Sequence, residues 1–266
     1  MPVFTEEVER SHFAAVREQI RAVAPFDAFA ALDIVREPEK CRLQVARRGE
    51  HIVSYLHLYD DGTLPVYRLA GDAEGAAGLV GSVGEAKSIL LCQSHLREAV
   101  AARFQSAPSY PEHMMIVYGS NFTGMHSEIA ARLSPDDAGQ LFGLYASGEF
   151  AARTKFSSED YYRTLLGKEV VFGAKVGGVL VSVATAYEGD STFGVVGGVF
   201  TAPNQRGNGY GTAVTSAATG HVLSRAGRSM LYVRTNNFPA VHAYEKIGYR
   251  TAEDWIFFDM GTGIVP

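Results

Sequence analysis

The sequence predicts a mixed α/β fold, in which helices flank a mixed sheet, in two domains. Short apolar runs bounded by turn residues alternate with segments of helical apolar spacing. The chain has 266 residues, and domains usually run about 100–200 residues. The sequence pattern changes near residue 128, where a predicted series of strands and helices in the order β-α-α-β-β-β-α-β-α-β begins. We therefore expect a smaller α/β domain at residues 1–127 and a second α/β domain at residues 128–266.

The first half is predicted to begin with a helix and to continue in short strands. Apolar residues recur at helical spacing over residues 5–35, with an interruption at Pro25. Short apolar runs predict strands at residues 42–46, 51–59, 66–69, 88–92 and 114–118. Glycine and alanine dominate residues 71–84, which favours a loop or a closely packed helix. Residues 94–104 are expected to form a helix.

Helix-start and turn signals organise the second half. Ser134 is followed by proline and two acidic residues, which is typical of an N-cap and a first helical turn. A second helix is expected at residues 158–166, capped by Ser157 or Ser158. The pair Gly177–Gly178 predicts a hairpin turn. The remaining patterns predict strands at 129–133, 169–175, 178–187, 193–201, 229–234 and 250–260, and helices at 210–226 and 238–247.

Composition excludes several classes of protein. The net charge is -5 with no basic run, so we expect no nucleic-acid partner. Two cysteines, Cys41 and Cys92, form neither a disulfide framework nor a zinc motif, and no metal is expected. The first residues are acidic where a signal peptide would be basic, and no apolar stretch is long enough to span a bilayer. We therefore expect a cytoplasmic location and no membrane partner.

A glycine-rich turn at residues 203–211 follows an apolar strand and precedes a helix of small residues. Gly207, Gly209 and Gly211 clear the Cβ atoms from the loop, so that a phosphate can approach the backbone N–H groups directly. Those groups open a helix, whose N-terminus attracts anions, and Arg206 adds a positive charge. The turn therefore predicts a diphosphate cradle. A tight turn without any ligand is the alternative reading.

Two other phosphate motifs do not fit this turn. A dinucleotide fingerprint needs G-x-G-x-x-G, and the sixth position is Thr212 counted from Gly207, or Val214 counted from Gly209. A P-loop needs Gly-Lys followed by Ser or Thr, which does not occur in the sequence. What remains is the pattern R-x-x-G-x-G.

A second motif lies downstream. Residues 237–249 match N-x-x-A-x-x-x-Y-x-x-x-G-F/Y at every marked position. Together with the R-x-x-G-x-G of Arg206, Gly209 and Gly211, this stretch resembles the two hallmarks of the GNAT superfamily of acyltransferases. The resemblance covers about residues 128–260. The residues in both motifs resemble those of a two-domain bacterial-type subgroup that is related to glycine N-acyltransferases.

The resemblance implies both a fold and an activity. The second domain would hold a centrally splayed, GNAT-type mixed sheet, and residues 1–127 would be a divergent acyltransferase-like domain without a cofactor loop. Acetyl-coenzyme A would be the acyl donor, and an acetyl or other short acyl group would pass directly to an amine in a ternary complex. The acceptor would be a small molecule or a peptide. The acceptor's identity, the acyl chain preferred and a homodimeric state are left open.

The resemblance also assigns residues. Tyr244 would be the general acid that protonates the departing thiolate, while a tyrosine packed in the core is the alternative. Gly197–Gly198 suits a β-bulge that frees a backbone N–H for the thioester oxygen. The cofactor would be bound by Val199, Phe200, Thr201, Arg206, Gly207, Asn208, Gly209, Tyr210, Gly211, Thr212 and Asn237.

The general base is not identified by either motif. Many members of the superfamily carry a glutamate on the strand that corresponds to residues 193–201, and this strand has none. Glu169, Glu188 and Asp190 could act through water, or each could be an ordinary surface carboxylate. A non-catalytic acyl-coenzyme A-binding sensor or scaffold is therefore the rival hypothesis.

Overall fold

The computed structural model describes residues 2–147 and 157–264. It is an α/β protein with two compact units, one formed by residues 1–112 together with 253–266 and the other by residues 113–252. The boundary expected between residues 127 and 128 therefore lies inside the second unit. The last strand, expected in the second domain, belongs to the first unit because it pairs antiparallel with the strand Ser88–Gln93.

The first unit contains a six-stranded mixed sheet. Its first four strands are antiparallel, and the fourth and fifth are parallel and joined by a helix. The strands, in their order across the sheet, are β1 (Val3–Glu7), β2 (Cys41–Arg48), β3 (His51–Tyr59), β4 (Val66–Gly71), β5 (Ser88–Gln93) and β12 (Arg250–Met260). The helices are α1 (Phe13–Val23), α2 (Ala28–Arg36), α3 (Ala73–Leu79) and α4 (Arg97–Arg103).

The start of the first unit corrects one prediction. Residues 5–35 are not one helical region, because Val3–Glu7 is an edge strand paired with β2. Helix formation begins at Phe13 and is interrupted between Val23 and Ala28, around the predicted break. The first apolar residues have helical spacing, but their backbone pairs with a strand about 40 residues away in the sequence. A local pattern cannot predict such a distant pairing.

The glycine- and alanine-rich segment resolves the alternative left open by the sequence. It contains the helix α3, so the reading as a closely packed helix is confirmed. A Cβ atom added to Gly75 would lie 2.7 Å from the Cβ of Ser54 on β3, closer than real Cβ contacts come. The small residues therefore allow α3 to lie directly on the sheet.

The second unit has the same arrangement of elements. Its strands, in their order across the sheet, are β7 (Ala131–Arg132), β8 (Val170–Val176), β9 (Val179–Tyr187), β10 (Gly194–Thr201), β11 (Arg228–Arg234) and β6 (Ser109–Tyr118). Strands β7 to β10 are antiparallel, and β10 is parallel to β11. The helices in the described residues are α5 (Ala138–Ala146), α6 (Glu159–Lys168), α7 (Tyr210–Leu223) and α8 (Phe238–Ile247).

The local signals of the second half are largely confirmed. The Asp137 carboxylate accepts a hydrogen bond of 2.9 Å from the N–H of Ser134, as in a capping box. Ser158, rather than Ser157, caps α6. Gly177–Gly178 forms the β8–β9 turn with positive φ values of 56° and 83°. The strand expected at 129–133 is much shorter, because a 3-10 turn ends at Ile129 and only Ala131 and Arg132 pair with β8.

Helices cover both faces of the second sheet. On one face, α5 and α6 pack against β8, β9 and the buried ring of Phe200. On the opposite face, α7 packs through Val214, Ala218 and Val222 against β8, β9 and Val196 of β10. The strand β10 is thus held between helices and carries contacts on both sides. Along the described residues, no helix is long and apolar enough to cross a bilayer.

Candidate functional site

The parallel strands of the second unit separate along their length. Strands β10 and β11 pair at Gly194 with Ser229 and at Val195 with Met230. Beyond Val195, β10 runs on to Thr201 with no further partner on β11. The sheet is therefore open between β10 and β11 towards the carboxyl ends of both strands.

A β-bulge lies where the opening begins. The register between β9 and β10 shifts between Gly197 and Phe200, so that Gly198 and Val199 together face a single residue of β9. Gly198 has a φ of 59°, a conformation that favours glycine. A β-bulge is therefore present, one residue further along the chain than the predicted pair Gly197–Gly198.

The bulged residues are more accessible than the rest of their strand. Residues 193–196 are buried, residues 197–199 are half-buried, and Phe200 is buried again. A central strand is normally covered along its whole length, so the exposure follows from the missing β11 partner. The backbone of β10 is therefore accessible at the bulge.

Two side chains that the sequence motifs do not contain hold the bulge. The hydroxyl of Tyr145, on α5, donates a hydrogen bond to the carbonyl oxygen of Gly198. Ser182, on β9, donates to the carbonyl oxygen of Phe200 over 3.2 Å, and its hydroxyl lies 2.8 Å from that of Thr201. Both residues look like ordinary core positions in the sequence, and no local pattern singles them out.

The glycine-rich loop leaves the carboxyl end of β10 and opens α7. Gly207 and Gly209 have φ values of 81° and 82°, and a Cβ at either position would meet nothing within 4 Å. Gly209 is the N-cap of α7, and no side chain caps this helix. The N–H groups of the first turn, in residues 210–212, lack intrahelical partners and suit an anion.

The other loop residues occupy distinct places. Arg206 donates from Nε to the carbonyl oxygen of Thr201 over 3.3 Å, and its guanidinium lies 5.9 Å from the ring centroid of Phe200. A Cβ on Gly211 would lie 3.1 Å from Thr201 Oγ1. The structure thus brings the strand end and the loop together. The Asn208 side chain donates to the loop carbonyl of Gln205 over 3.2 Å.

Some predicted cofactor residues could act only through their backbone. The side chain of Phe200 packs beside α5, and that of Tyr210 packs against the core under α7. Asn237 lies at the start of α8, where its side chain accepts from the N–H of Ala240 at 3.4 Å and so caps the helix. Thr212 lies half-buried in the first turn of α7.

Tyr244 lies on α8, among apolar side chains of β6 and β11. Its ring is 7% exposed, and burial raises the pKa of its hydroxyl well above the ordinary value, with a smaller contribution from Tyr249. No hydrogen-bond partner for this hydroxyl lies within residues 2–147 and 157–264. Tyr244 therefore stays protonated at neutral pH and has a proton to donate.

Tyr249 differs from Tyr244 although the two rings are in contact. Their centroids are 6.2 Å apart. The hydroxyl of Tyr249 is fully buried and lies 2.7 Å from Ser229 Oγ and 2.9 Å from Thr219 Oγ1. Burial raises the pKa of Tyr249 to about 12. The hydroxyl of Tyr249 is thus bonded inside the core.

The three candidate bases lie at the other end of the strands. Glu169 precedes Val170, which pairs with the end of β9, and Glu188 directly follows β9. The end of β9 pairs with β10 at Val195, which lies about 13 Å along β10 from Val199 of the bulge. Glu169, Glu188 and Asp190 are therefore separated from the bulge by about this length of strand. None of them lies beside the glycine-rich loop.

All three carboxylates also have structural contacts. Glu188 accepts from Nε2 of His221 at 2.7 Å and pairs with Nε of Arg225 at 3.1 Å. Asp190 accepts from the N–H of Thr192 at 2.7 Å within a turn. The third, Glu169, is buried at the end of α6. Over the described part of the chain, no three His, Cys, Asp or Glu side chains are grouped as metal ligands would be.

The first unit lacks the features of this site. Its parallel strands β4 and β5 stay paired over four positions, from Val66 with Ile89 to Leu69 with Cys92. The β3–β4 register has no shift, and therefore no bulge. The N-cap of its crossover helix is Asp72, not a glycine. The crossover helix of this unit therefore starts with a side-chain cap, and its parallel strands pair over more positions than β10 and β11 do.

The chain is similar to known proteins in both sequence and fold. Residues 137–249 match the family described as the Acetyltransferase (GNAT) family. No curated protein matches the chain. A Drosophila protein of known structure superimposes with a TM-score of 0.68 at 13% identity, over 97% of this chain and 99% of its own.

Two further structures carry the same fold at low identity. A GCN5-related N-acetyltransferase from Sphaerobacter thermophilus has a TM-score of 0.63 at 12% identity, over 97% of this chain and 96% of its own. A tandem GNAT protein from the clavulanic acid biosynthesis pathway has a TM-score of 0.57 at 13% identity, over 98% of this chain and 99% of its own. The predicted fold class is confirmed.

Proposed function

We propose, on the premise that residues 137–249 form a GNAT acetyltransferase domain, that the chain transfers an acetyl or other short acyl group from acyl-coenzyme A to an amine. One observation carries this proposal. The strand that opens beside β11 is bulged at Gly198–Val199 and ends in an uncapped glycine loop. An accessible strand edge and an anion-binding helix start are the two parts that a phosphate-bearing thioester requires.

The donor would be bound in two places. The first-turn N–H groups of α7 and the loop from Arg206 to Thr212 would hold the diphosphate, because orphan N–H groups at a helix start favour anions. The pantetheine amides would pair with the open edge of β10 at Val199, Phe200 and Thr201. Asn237, already the cap of α8, is the weakest of the proposed contacts.

The chemistry follows from these positions. The lone pair of the acceptor nitrogen attacks the thioester carbon, and the carbonyl oxygen gains negative charge beside the bulge. As the carbonyl re-forms, the carbon–sulfur bond breaks and the sulfur takes the proton of the Tyr244 hydroxyl. The nitrogen loses a proton to water, and Tyr244 regains one from water. The net products are the N-acyl amine and the free thiol of coenzyme A.

Water is the proposed proton acceptor at the nitrogen. Glu169, Glu188 and Asp190 lie at the far end of the strands, where they make internal contacts. A relay from these groups to the bulge would have to cross about 13 Å along β10. An amine that arrives already neutral would need no carboxylate base.

The first unit is proposed to have a structural role. It has the same order of strands and helices as the second unit, which fits a divergent acyltransferase-like half. Its parallel strands remain closed, and Asp72 fills the start of its crossover helix. We therefore propose a single acyl-coenzyme A site per chain.

A binding module without catalysis is the second candidate. It is favoured by the position of the three carboxylates, far from the bulge in the described structure. Release of free thiol from acetyl-coenzyme A separates the two hypotheses. The enzyme should release thiol with at least one class among amino acids, polyamines, aminoglycosides and peptide N-termini. Saturable binding of acetyl-coenzyme A without amine-dependent thiol release would favour the sensor.

The location and the partners of the chain follow from this proposal. A small-molecule or peptide amine is the only partner it requires, and nucleic acid and membrane partners have no role in it. A cytoplasmic location fits the supply of acyl-coenzyme A. Thiol release by Gly209→Asp at the wild-type rate would contradict the proposed donor site, because the added carboxylate faces the phosphate position.

A further inference from the structure

The ring of Tyr145 is fixed on one face of β10. It is 5% exposed, its centroid lies 5.5 Å from that of Tyr162 in a stacked arrangement, and it lies 5.9 Å from that of Phe200. The hydroxyl at the end of this fixed ring donates to the carbonyl oxygen of Gly198. Buried aromatic contacts of this kind leave the ring little freedom, so the hydroxyl has a defined position.

That hydrogen bond sets the direction of a neighbouring N–H group. The carbonyl of Gly198 and the N–H of Val199 belong to the same planar trans peptide, and they point in opposite directions. A donor that holds the carbonyl oxygen therefore fixes the N–H, which points away from Tyr145. Ser182 donates to the carbonyl oxygen of Phe200. Val199 therefore lies between two residues whose carbonyl groups are both held by hydrogen bonds.

Only glycine fits at position 198 beside the Tyr145 hydroxyl. Its φ is 59°, and a Cβ added there would lie 2.8 Å from the Tyr145 hydroxyl oxygen and 3.4 Å from Thr185 Oγ1. A side chain at this position would push the tyrosine hydroxyl off the carbonyl. The bulge and Tyr145 are therefore matched to each other.

We propose that Tyr145 is a positioning residue that orients the Val199 N–H towards the carbonyl oxygen of the bound thioester. The inference rests on the proposed function, and it adds to it the residue that aims the oxyanion donor. Tyr145 itself touches neither the acyl group nor the acceptor. Its effect passes through one peptide, because an oxyanion donor is effective only when its direction is set before the reaction.

The test uses the full chain and the carbonyl stretching band of ¹³C-labelled acetyl-coenzyme A bound to it. A hydrogen bond to the thioester oxygen weakens the carbon–oxygen double bond and lowers the frequency of the band. Tyr145→Phe removes only the hydroxyl and should move the band back to higher frequency. It should also lower kcat roughly 10-fold, less than the about 10²–10³ lost when such a donor is removed outright.

Tyr162→Phe is the matched control. It removes a hydroxyl from the same aromatic cluster, and that hydroxyl accepts a hydrogen bond of 3.5 Å from Ser157 Oγ. The band and kcat should stay at their wild-type values. The affinity for coenzyme A without an acyl group should be unchanged in both variants, since neither reaches the glycine-rich loop.

Two outcomes would overturn the inference. One is the wild-type band position in folded Tyr145→Phe. The other is the same band shift in Tyr162→Phe, which would mark a general effect of the aromatic cluster. Should Tyr145→Phe lose its fold, Gly198→Ala tests the same contact from the other side, and an unshifted band there also contradicts it. Failure of acetyl-coenzyme A to bind the wild-type chain would instead contradict the proposed function.

Discussion

Gly209 and Asp72 hold equivalent positions in the two units, and only Asp72 closes its helix with a side chain. Each is the N-cap of the helix that joins two parallel strands. The Asp72 carboxylate accepts from the N–H of Gly75 at 2.7 Å, whereas Gly209 offers no acceptor. In the first unit a carboxylate therefore occupies the place that a phosphate would take in the second.

Gly209→Asp should abolish binding of acetyl-coenzyme A. The new carboxylate would cap α7 as Asp72 caps α3 and would repel the diphosphate. Ligand at 100 times its Kd stabilises a folded protein by about 2.7 kcal/mol. Acetyl-coenzyme A should therefore raise the unfolding temperature of the wild type and leave that of the variant unchanged. Gly62→Asp is the control, because Gly62 has a similar φ of 85° in an exposed turn. An equal thermal shift in wild type and Gly209→Asp would remove the loop from the donor site.

Each chain should bind a single molecule of coenzyme A. In the first unit, the parallel strands β4 and β5 stay paired, and the Asp72 carboxylate caps the start of α3. Isothermal titration of the full chain should therefore give a stoichiometry of about one, and Gly209→Asp should leave no residual binding. A fragment of residues 1–127 would be a poor test, because it lacks the strand β12 that completes the first sheet. A second saturable site that persists in Gly209→Asp would contradict this reading.

Tyr244→Phe should lower kcat by about 10–10³ while the affinity for coenzyme A stays nearly unchanged, because general acid catalysis contributes on roughly that scale. The hydroxyl has no internal hydrogen bond in the described residues, so its loss should cost little stability. Tyr249→Phe should do the reverse. It removes the contacts to Ser229 and Thr219, which lowers the unfolding free energy by about 0.5–1.5 kcal/mol and leaves kcat unchanged. Equal kcat values for both variants would remove Tyr244 from the mechanism.

No single carboxylate should be indispensable. Glu169→Gln, Glu188→Gln and Asp190→Asn should each reduce kcat less than Tyr244→Phe, because all three groups lie at the end of the sheet away from the bulge. The acidic limb of the pH–rate profile should then belong to the acceptor amine and move with its pKa. One variant that loses more activity than Tyr244→Phe, and loses the acidic limb, would identify that carboxylate as the base.

Replacement of both cysteines by alanine should leave turnover intact. Burial raises the pKa of both thiols, Cys41 and Cys92, to about 12, so neither forms the thiolate that acyl transfer through cysteine requires. Both lie in the first unit, outside the matched family segment. Mass spectrometry of the wild type after incubation with acetyl-coenzyme A should show no acyl-cysteine. A trapped adduct that disappears together with activity in the double variant would overturn direct transfer.

The parts of the site that the sequence predicted are contiguous in the chain. The glycine loop is set by a backbone conformation that glycine favours; Gly207 and Gly209 have φ values of 81° and 82°. The bulge at Gly198–Val199, one residue beyond the predicted pair, belongs to the same group. These features depend on neighbours within a few residues, which is the range that local patterns report.

The missed parts depend on distant partners. Tyr145 and Gly198 are 53 residues apart, and nothing near Tyr145 distinguishes it from a core tyrosine. The strand Val3–Glu7 is defined by pairing with residues 44–48, which its own sequence does not reveal. The place of the last strand follows from pairing with residues 88–93. Such pairings are properties of the assembled sheet and not of a segment.

The first unit takes its last strand from the end of the chain. Residues 255–260 pair with β5, and they are synthesised some 160 residues after it. At about 5–20 residues per second, a ribosome exposes the unpaired edge of β5 for roughly ten seconds or more before the closing strand emerges. The sheet of the first unit is therefore completed only after all residues of the second unit have been synthesised. A nascent chain is at greatest risk of edge-to-edge aggregation during this interval, and truncation after Ala252 would make that exposed edge permanent.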